Sequence, residues 1–314
     1  LVIIFYIKKC LLLIKEVFML YNKFSDYLKN RFGEKVWKVP VEAGFSCPNR
    51  DGFKGRGGCI YCNIDSFNGA EEGSIREQVE ERIERLKKRK INKYIVYFQS
   101  YSNTYGSLDS VKERVEKSLV DDGIVAIHIG TRPDVIDDEK LEYFKELNEK
   151  YEVVIEYGLQ SANDETLKYI NRGHTVKEFS DAVELTHSYG IKTCAHVIFG
   201  LPGDTYEDMI NSVKLVSALR VHSVKFHHLH VVKNTKLAKL YDEGHVKLMS
   251  ESEYIKTLAF GLGHLYKDIV VARIVGDAAG ESLVAPDWPK SKSVFTGMLE
   301  AFMKDNNIVQ GCFD

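Results

Sequence analysis

Cys47, Cys59 and Cys62 lie in the run FSCPNRDGFKGRGGCIYCN, spaced C-x11-C-x2-C, and no fourth cysteine is nearby to close the set. Three thiolates can hold three irons of a four-iron, four-sulfur ([4Fe-4S]) cluster, leaving the fourth iron open to a small molecule. Structural zinc wants four ligands, and the nearest histidine, His128, is far along the chain. A disulfide framework fits less well, because the local cysteines are odd in number. The spacing therefore points to an enzyme whose metal centre keeps a reactive position. Cys10, Cys194 and Cys312 are scattered single residues, and Cys194, in an apolar run, reads as a small buried side chain.

The 314 residues are 44% hydrophobic and 28% charged, as in ordinary globular proteins, and the net charge of −2 gives no global basic field to attract nucleic acid. Residues 1–18 are apolar, but Lys8 and Lys9 split the run so that neither half can span a bilayer. Lys15-Glu16-Val17 can be encoded by a purine-rich ribosome-binding sequence shortly before Met19. We therefore expect translation to start at Met19, with no membrane association and a cytoplasmic location.

The elements that must position the cysteines begin at Val36 to Val41. Tyr94 to Phe98, Ile124 to Ile129, Val153 to Ile155, Cys194 to Phe199 and Val224 to Val232 also read as short, β-branched or aromatic strands. Helical spacing separates them, as in Leu108, Val111, Val115 and Leu119, and in Met209, Val213, Val216 and Leu219. Strand–helix alternation implies parallel strands joined by helical crossovers, about six β/α units in all. The expected organisation is one catalytic domain over 19–234, with an α-rich extension over 235–314 packed on it.

In such folds functional groups gather at the C-terminal ends of the strands. The cysteine loop follows the first strand, Gln99 to Asn103 the second, Gly130 to Asp134 the third, Glu156 to Ser161 the fourth and Gly200 to Gly203 the fifth. The sixth carries His227, His228 and His230. Polar clusters recurring at one rim are what an active site requires.

With these motifs in order (VEAGFSCPNRDG with GGCIYC, FQSYSNTY, GTRPD, EYGLQSANDETLKYINRGHT, IFGLPG and RIVGDAAGESLVAP), nearly all of the chain after Met19 resembles a radical S-adenosylmethionine (SAM) enzyme. The resemblance is to the YhcC/YtqA group, which is related to the radical SAM domain of the Elongator catalytic subunit. It implies an α/β fold, a partial (β/α)6 barrel, with a [4Fe-4S] cluster and SAM as cofactors and an electron donor such as flavodoxin or ferredoxin. Cys47, Cys59 and Cys62 match the cluster ligands, although the first spacing exceeds the family-wide C-x3-C-x2-C, as it does in the Elongator-like branch. Tyr61 matches an aromatic position beside the adenine. Arg172 matches a residue that pairs with the SAM carboxylate, a task suited to a guanidinium fork. Glu156 and Gln160 resemble residues that reach the ribose and methionine moieties. Ser100, Tyr101 and Asn103 stand where the family's motif for the SAM amino group lies, but depart from its usual Gly-Gly-Glu.

The same resemblance points to tRNA, with remodelling of a wobble-uridine C5 side chain from carboxymethylaminomethyl toward aminomethyl. Alternatives are a radical reaction on a small metabolite, as in coproporphyrinogen oxidases, and a nonenzymatic, zinc-stabilised RNA-binding module. The basic run from Arg85 to Lys93 can contact phosphates, or simply complete a solvated helix with Glu77, Glu80, Glu81 and Glu84. His228 and His230 share a strand face by the period of two, so both can point into the barrel, either as substrate contacts or as buried, hydrogen-bonded core residues. Arg273, Asp277 and Glu281 are further substrate candidates.

Overall fold

A computed structural model describes residues 19–63, 72–276, 282–288 and 291–313. Residues 1–18, with Cys10, lie outside the described residues, as do Asp277 and Glu281. The apolar runs form β1 (Val36–Val41), β2 (Lys93–Phe98), β3 (Ile124–Thr131), β4 (Glu152–Gln160), β5 (Lys192–Phe199) and β6 (Ser223–His228). These pair in chain order, every neighbour parallel. Beyond β6 the chain forms β7 (Val231–Val232), and β8 (Val270–Arg273) then adds to β6 as a seventh parallel strand. The sheet is an open half-barrel whose two edges are β1 and β8.

Helix α1 (Phe24–Phe32) precedes β1, and α2 (Ile75–Lys88), α3 (Leu108–Ser118), α4 (Asp138–Asn148), α5 (Asp164–Tyr169), α6 (Val176–Ser188) and α7 (Tyr206–Ala218) fill the crossovers and cover the outer face. Each crossover helix shows its sequence logic. In α2, Val79, Ile83 and Leu86 recur on one face and are buried, each worth about 1.5–3 kcal/mol if fully removed from water. Ser74 and Glu77 form a capping box at its start, as do Thr205 and Asp208 at α7. The basic end of α2 is a solvated helix end: Arg85 pairs with Glu81 and Lys87 with Asp121 at 2.6 Å, all on exposed or partly exposed side chains. No helix among the described residues is long and apolar enough to cross a membrane.

Helix α1 crosses the end of the barrel opposite the cysteine loop. Its Tyr27 hydroxyl donates to Glu152 at the first residue of β4 at 2.7 Å, and Arg31 and Lys192 pair with the same carboxylate at 3.0 and 2.6 Å. The C-terminal part adds α8 (Lys236–Asp242), α9 (Glu251–Gly263), β9 (Leu283–Ala285), antiparallel to β7, and α10 (Lys292–Asp305). Buried Tyr254, Leu258, Phe295 and Leu299 tie α9 and α10 to the outer face of the sheet.

Two expectations change here. The run from Val224 to Val232 is two strands: Leu229 N–H bonds the Phe199 carbonyl at 3.0 Å, and the chain then turns away to pair with β9. The fourth strand extends well past Ile155, to Gln160. The extension is α-rich as expected, and its Val270–Arg273 also completes the sheet. That strand is too short for a period to reveal it.

Candidate active site

The loop after β1 is a compact turn pinned to the segment after α5. The Cys47 carbonyl accepts the N–H groups of Arg50 and Asp51 at 2.8 and 3.2 Å. The Asn49 side-chain amide donates to the Asn171 carbonyl, and the Asn171 amide donates to the Gly58 carbonyl at 2.8 Å. Ile60 N–H bonds the Ile170 carbonyl at 3.0 Å, and the Ile60 carbonyl accepts Leu237 N–H at 2.8 Å. The eleven residues between the first two cysteines therefore build a self-bonded turn that brings Cys47 back beside Cys59 and Cys62.

All three thiols are free and line one cavity of about 200 Å³ at the C-terminal ends of the strands. Tyr61, Tyr101, Glu156, Gln160 and Arg172 line it too. Arg172 is buried; its Nη1 lies 3.9 Å from Cys59 Sγ, its Nη2 donates to the Gly158 carbonyl at 2.9 Å and its Nε to His174 Nε2 at 2.9 Å. Burial, then the charge of Arg172, lowers His174 to about 3, so its ring is neutral; its Nε2 also lies 2.8 Å from the Gly158 carbonyl and its Nδ1 3.2 Å from the Thr175 carbonyl. A Cβ at Gly158 would stand 2.6 Å from Arg172 Nη2, which only glycine avoids. Arg132, fully buried, forks onto Asp134 at 2.8 Å through Nε and Nη2 and donates Nη1 to the Arg172 carbonyl at 2.6 Å. A rigid chain of hydrogen bonds thus sets the position of Arg172.

The inner wall of the cavity is a buried ionic cluster around Glu156. Oε1 accepts from His128 Nδ1 at 2.7 Å, Oε2 from His196 Nε2 at 2.7 Å and from Lys225 Nζ, and Lys38 Nζ stands 3.5 Å away. Burial opposes the charge of Glu156, yet Lys225 and Lys38 hold its carboxyl well below the usual range. Burial, then the neighbouring lysines, lowers His128 and His196 to about 4, so both are neutral donors. The carboxylate only accepts, which fixes the protons on His128 Nδ1 and His196 Nε2.

Other sequence candidates fall elsewhere. Ser100 and Asn103 do not line the cavity; the Asn103 amide nitrogen clasps the Phe98, Ser100 and Gly130 carbonyls at 3.2, 2.9 and 2.7 Å. His228 faces away from the barrel interior. Lys225 and His227 alternate inward, reaching Glu156 and the His196 ring, whereas Phe226 and His228 pack outward on Tyr254 and its neighbours. The His228 ring stacks on Trp288 at 4.0 Å, and His230, past the end of β6, contacts that same ring at 4.0 Å. The inward-facing histidine of this strand is His227. Arg273 lines a second cavity. Gln99, Thr131, Arg132 and His196 also line the cysteine cavity and were not picked out individually from the sequence. One signal could have found His196 and its partners: His128, Glu156 and His196 each interrupt the apolar run of a strand.

The chain is a member of the radical SAM superfamily, and so an enzyme: the superfamily's model matches residues 49–216, and that of the Radical_SAM C-terminal domain matches 221–305. It is 33% identical over 297 residues to YtqA of Bacillus subtilis (strain 168), covering 93% of this chain and 92% of the relative. Identity to YhcC of Escherichia coli (strain K12) is 35% over 284 residues, covering 90% and 91%. A tRNA uridine(34) acetyltransferase of Methanocaldococcus infernus is 27% identical over 189 residues, 56% of this chain and 35% of that one. The solved Elp3 of the same archaeon, with its N-terminus deleted, superposes with a TM-score of 0.67 at 20% identity, over 88% of this chain and 64% of that one, a likeness of fold. Family membership sets aside the zinc-stabilised binding module.

The family's cofactors are a [4Fe-4S] cluster and SAM, and the donor set fits them. Burial and the adjoining Cys59 push the Cys62 thiol up to about 11, so these sulfurs call for a cationic centre to ionise them. Arg172 at Cys59 and Arg50 Nη1, 3.7 Å from Cys62 Sγ, suit sulfurs that carry negative charge.

The neutral histidines carry a stability prediction. His128, His196 and His222 are lowered to about 4, and His174 and His228 to about 3, burial being the first cause in each. Below about pH 6.5 the unfolded chain takes up protons that these folded sites refuse, so the folded state loses stability as pH falls. Urea midpoints should be level above pH 7 and drop steadily from about pH 6.5 toward pH 4. A flat profile through that window contradicts the assignment of neutral rings.

Proposed function

We propose that Cys47, Cys59 and Cys62 hold the cluster and that the enzyme acts on the C5 side chain of the wobble uridine of tRNA, carrying carboxymethylaminomethyl toward aminomethyl. The observation that carries this reading is the convergence of the three thiols with Tyr61, Gln160 and Arg172 on one cavity, in a chain similar to a tRNA uridine(34) acetyltransferase. When bound, the cluster and SAM supply reductive cleavage of the sulfonium and a 5′-deoxyadenosyl radical that abstracts hydrogen.

The chain's own residues bind and orient. Arg172, fixed by the Gly158 carbonyl and His174, presents a cation for the SAM carboxylate next to Cys59. The Tyr61 ring gives the adenine an apolar face. Gln160, at φ 73°, is held in left-handed backbone that turns the end of β4 toward the cavity, a local cost of about 1–3 kcal/mol that marks a functional position. Glu156 already faces two histidines and two lysines, so we read it as the anchor of the inner wall rather than a ribose ligand.

The test compares nucleosides of tRNA from a parent strain and a deletion strain. We expect 5-carboxymethylaminomethyluridine derivatives to accumulate and aminomethyl derivatives to fall in the deletion. Unchanged wobble-uridine nucleosides would sink the proposal.

A further inference from the structure

The open edge of the half-barrel, between β1 and β8, contains a larger cavity of about 870 Å³, ample for a nucleoside. Phe24, Trp37 and Val275 give it apolar walls, and Lys38, Lys225 and Arg273 give it a charged floor. The extra residue Ala272 shifts the register of β8 so that Arg273 lies level with Lys225, on the inward side. One layer of side chains separates this floor from the cysteine cavity: Lys225 Nζ reaches the Tyr97 hydroxyl at 3.1 Å and the Glu156 carboxylate, both of which line that cavity.

The charges on this layer do not balance. Three cations, Lys38, Lys225 and Arg273, face it, and among the described residues their paired carboxylate is Glu156 alone. Lys225 and Arg273 alone exceed that carboxylate by one positive charge, and Lys38 adds to the excess whenever it is protonated. The histidines on the layer are neutral and add nothing. Among the described residues the Arg273 guanidinium makes no hydrogen bond or ion pair, so its fork is available. Burial, then Lys225, lowers Lys38 to about 7, as expected for a cation waiting for a counter-charge. A partly buried arginine fork beside two lysines is chemistry for an oxyanion.

We infer that the cavity between β1 and β8 binds an oxyanion of the substrate through Arg273 and Lys38, against the layer that adjoins the cysteine cavity. This rests on the tRNA reading given above, and deepens it: that substrate offers two oxyanions, the carboxylate at the end of the C5 side chain and the backbone phosphate. The aromatic and aliphatic walls favour the base with its carboxylate over a solvated phosphate.

Anaerobic calorimetry on the reconstituted holoenzyme tests it with three anticodon stem-loops, whose wobble uridine carries carboxymethylaminomethyl, aminomethyl or no substituent. We expect Arg273→Met to weaken the carboxylate-bearing loop by about 10- to 100-fold and to erase its advantage over the other two. Arg273→Lys should restore part of that advantage, and iron content should match wild type in both variants. Weakening of all three loops alike by Arg273→Met keeps the oxyanion site but assigns it to a backbone phosphate. Unaltered affinity for every loop in Arg273→Met and in Lys38→Met overturns the inference. The two readings fail separately. If the deletion strain's tRNA is unchanged while Arg273-dependent binding persists, only the wobble-uridine proposal falls; if the tRNA changes while Arg273→Met binds and turns over normally, only the oxyanion site falls.

Discussion

Replacing Cys59 with alanine should empty the cluster site: iron should fall from about four to less than one per chain after anaerobic reconstitution. Reductive cleavage of SAM to 5′-deoxyadenosine should fall at least about 1,000-fold, since the cofactor and not the protein supplies that chemistry. Of the three thiols, Cys59 is the buried one, with the Asn49 amide and Arg172 Nη1 each 3.9 Å from its sulfur, so no water-exposed substitute ligand can take its place. Cys194→Ala is the matched control. Its thiol is buried on β5 and pushed up to about 12, first by burial and then by Glu156, which makes it an inert side chain. Iron, the absorbance of the reconstituted protein near 400 nm, and 5′-deoxyadenosine yield should stay at wild-type level in Cys194→Ala. Full iron and cleavage in Cys59→Ala would refute the ligand assignment.

What the sequence made legible divides along physical lines. The cysteine spacing and the strand-end motifs are local, and each lies where the strand–helix alternation places it, so the rim of the barrel could be read without coordinates. The strands themselves were legible because β-branched and aromatic runs such as Tyr94 to Phe98 are buried on both faces. The inner wall was not legible in the same way. Lys38, His128, His196 and Lys225 come from four different strands, and only register makes them neighbours of Glu156. The period of two gave the correct rule but the wrong member for β6, because the inward set is fixed by Lys225 and His227, and the strand ends at His228. Asn103 was a candidate because it stands where the family's motif for the SAM amino group lies. Its amide nitrogen holds the loop after β2 against β3, while its Oδ1 is buried without a hydrogen-bond partner.

The inner wall also carries the second large effect. Glu156→Ala should destabilise the fold by about 3–5 kcal/mol, because it leaves Lys225, Lys38 and two histidine donors buried without their shared acceptor. A drop of roughly 4–8 °C in the thermal midpoint corresponds to that loss in a chain of this size. Glu156→Gln keeps the shape and part of the hydrogen bonding but loses the charge, so its cost should be smaller and still measurable. The informative variant pairs it with Lys225→Met, which removes the cation in closest contact. If the cluster acts as a unit, the double variant should be more stable than the sum of the two single losses by at least about 1 kcal/mol. Lys38 keeps the double variant below wild type, since it stays half-buried with no carboxylate beside it. Strict additivity of Glu156→Gln and Lys225→Met in urea midpoints would show the contact to be energetically idle. The cysteine loop is bonded to the segment around Asn171 and not to this wall. Iron content should therefore survive in Glu156→Gln while stability falls, separating the wall that shapes the cavity from the loop that holds its metal.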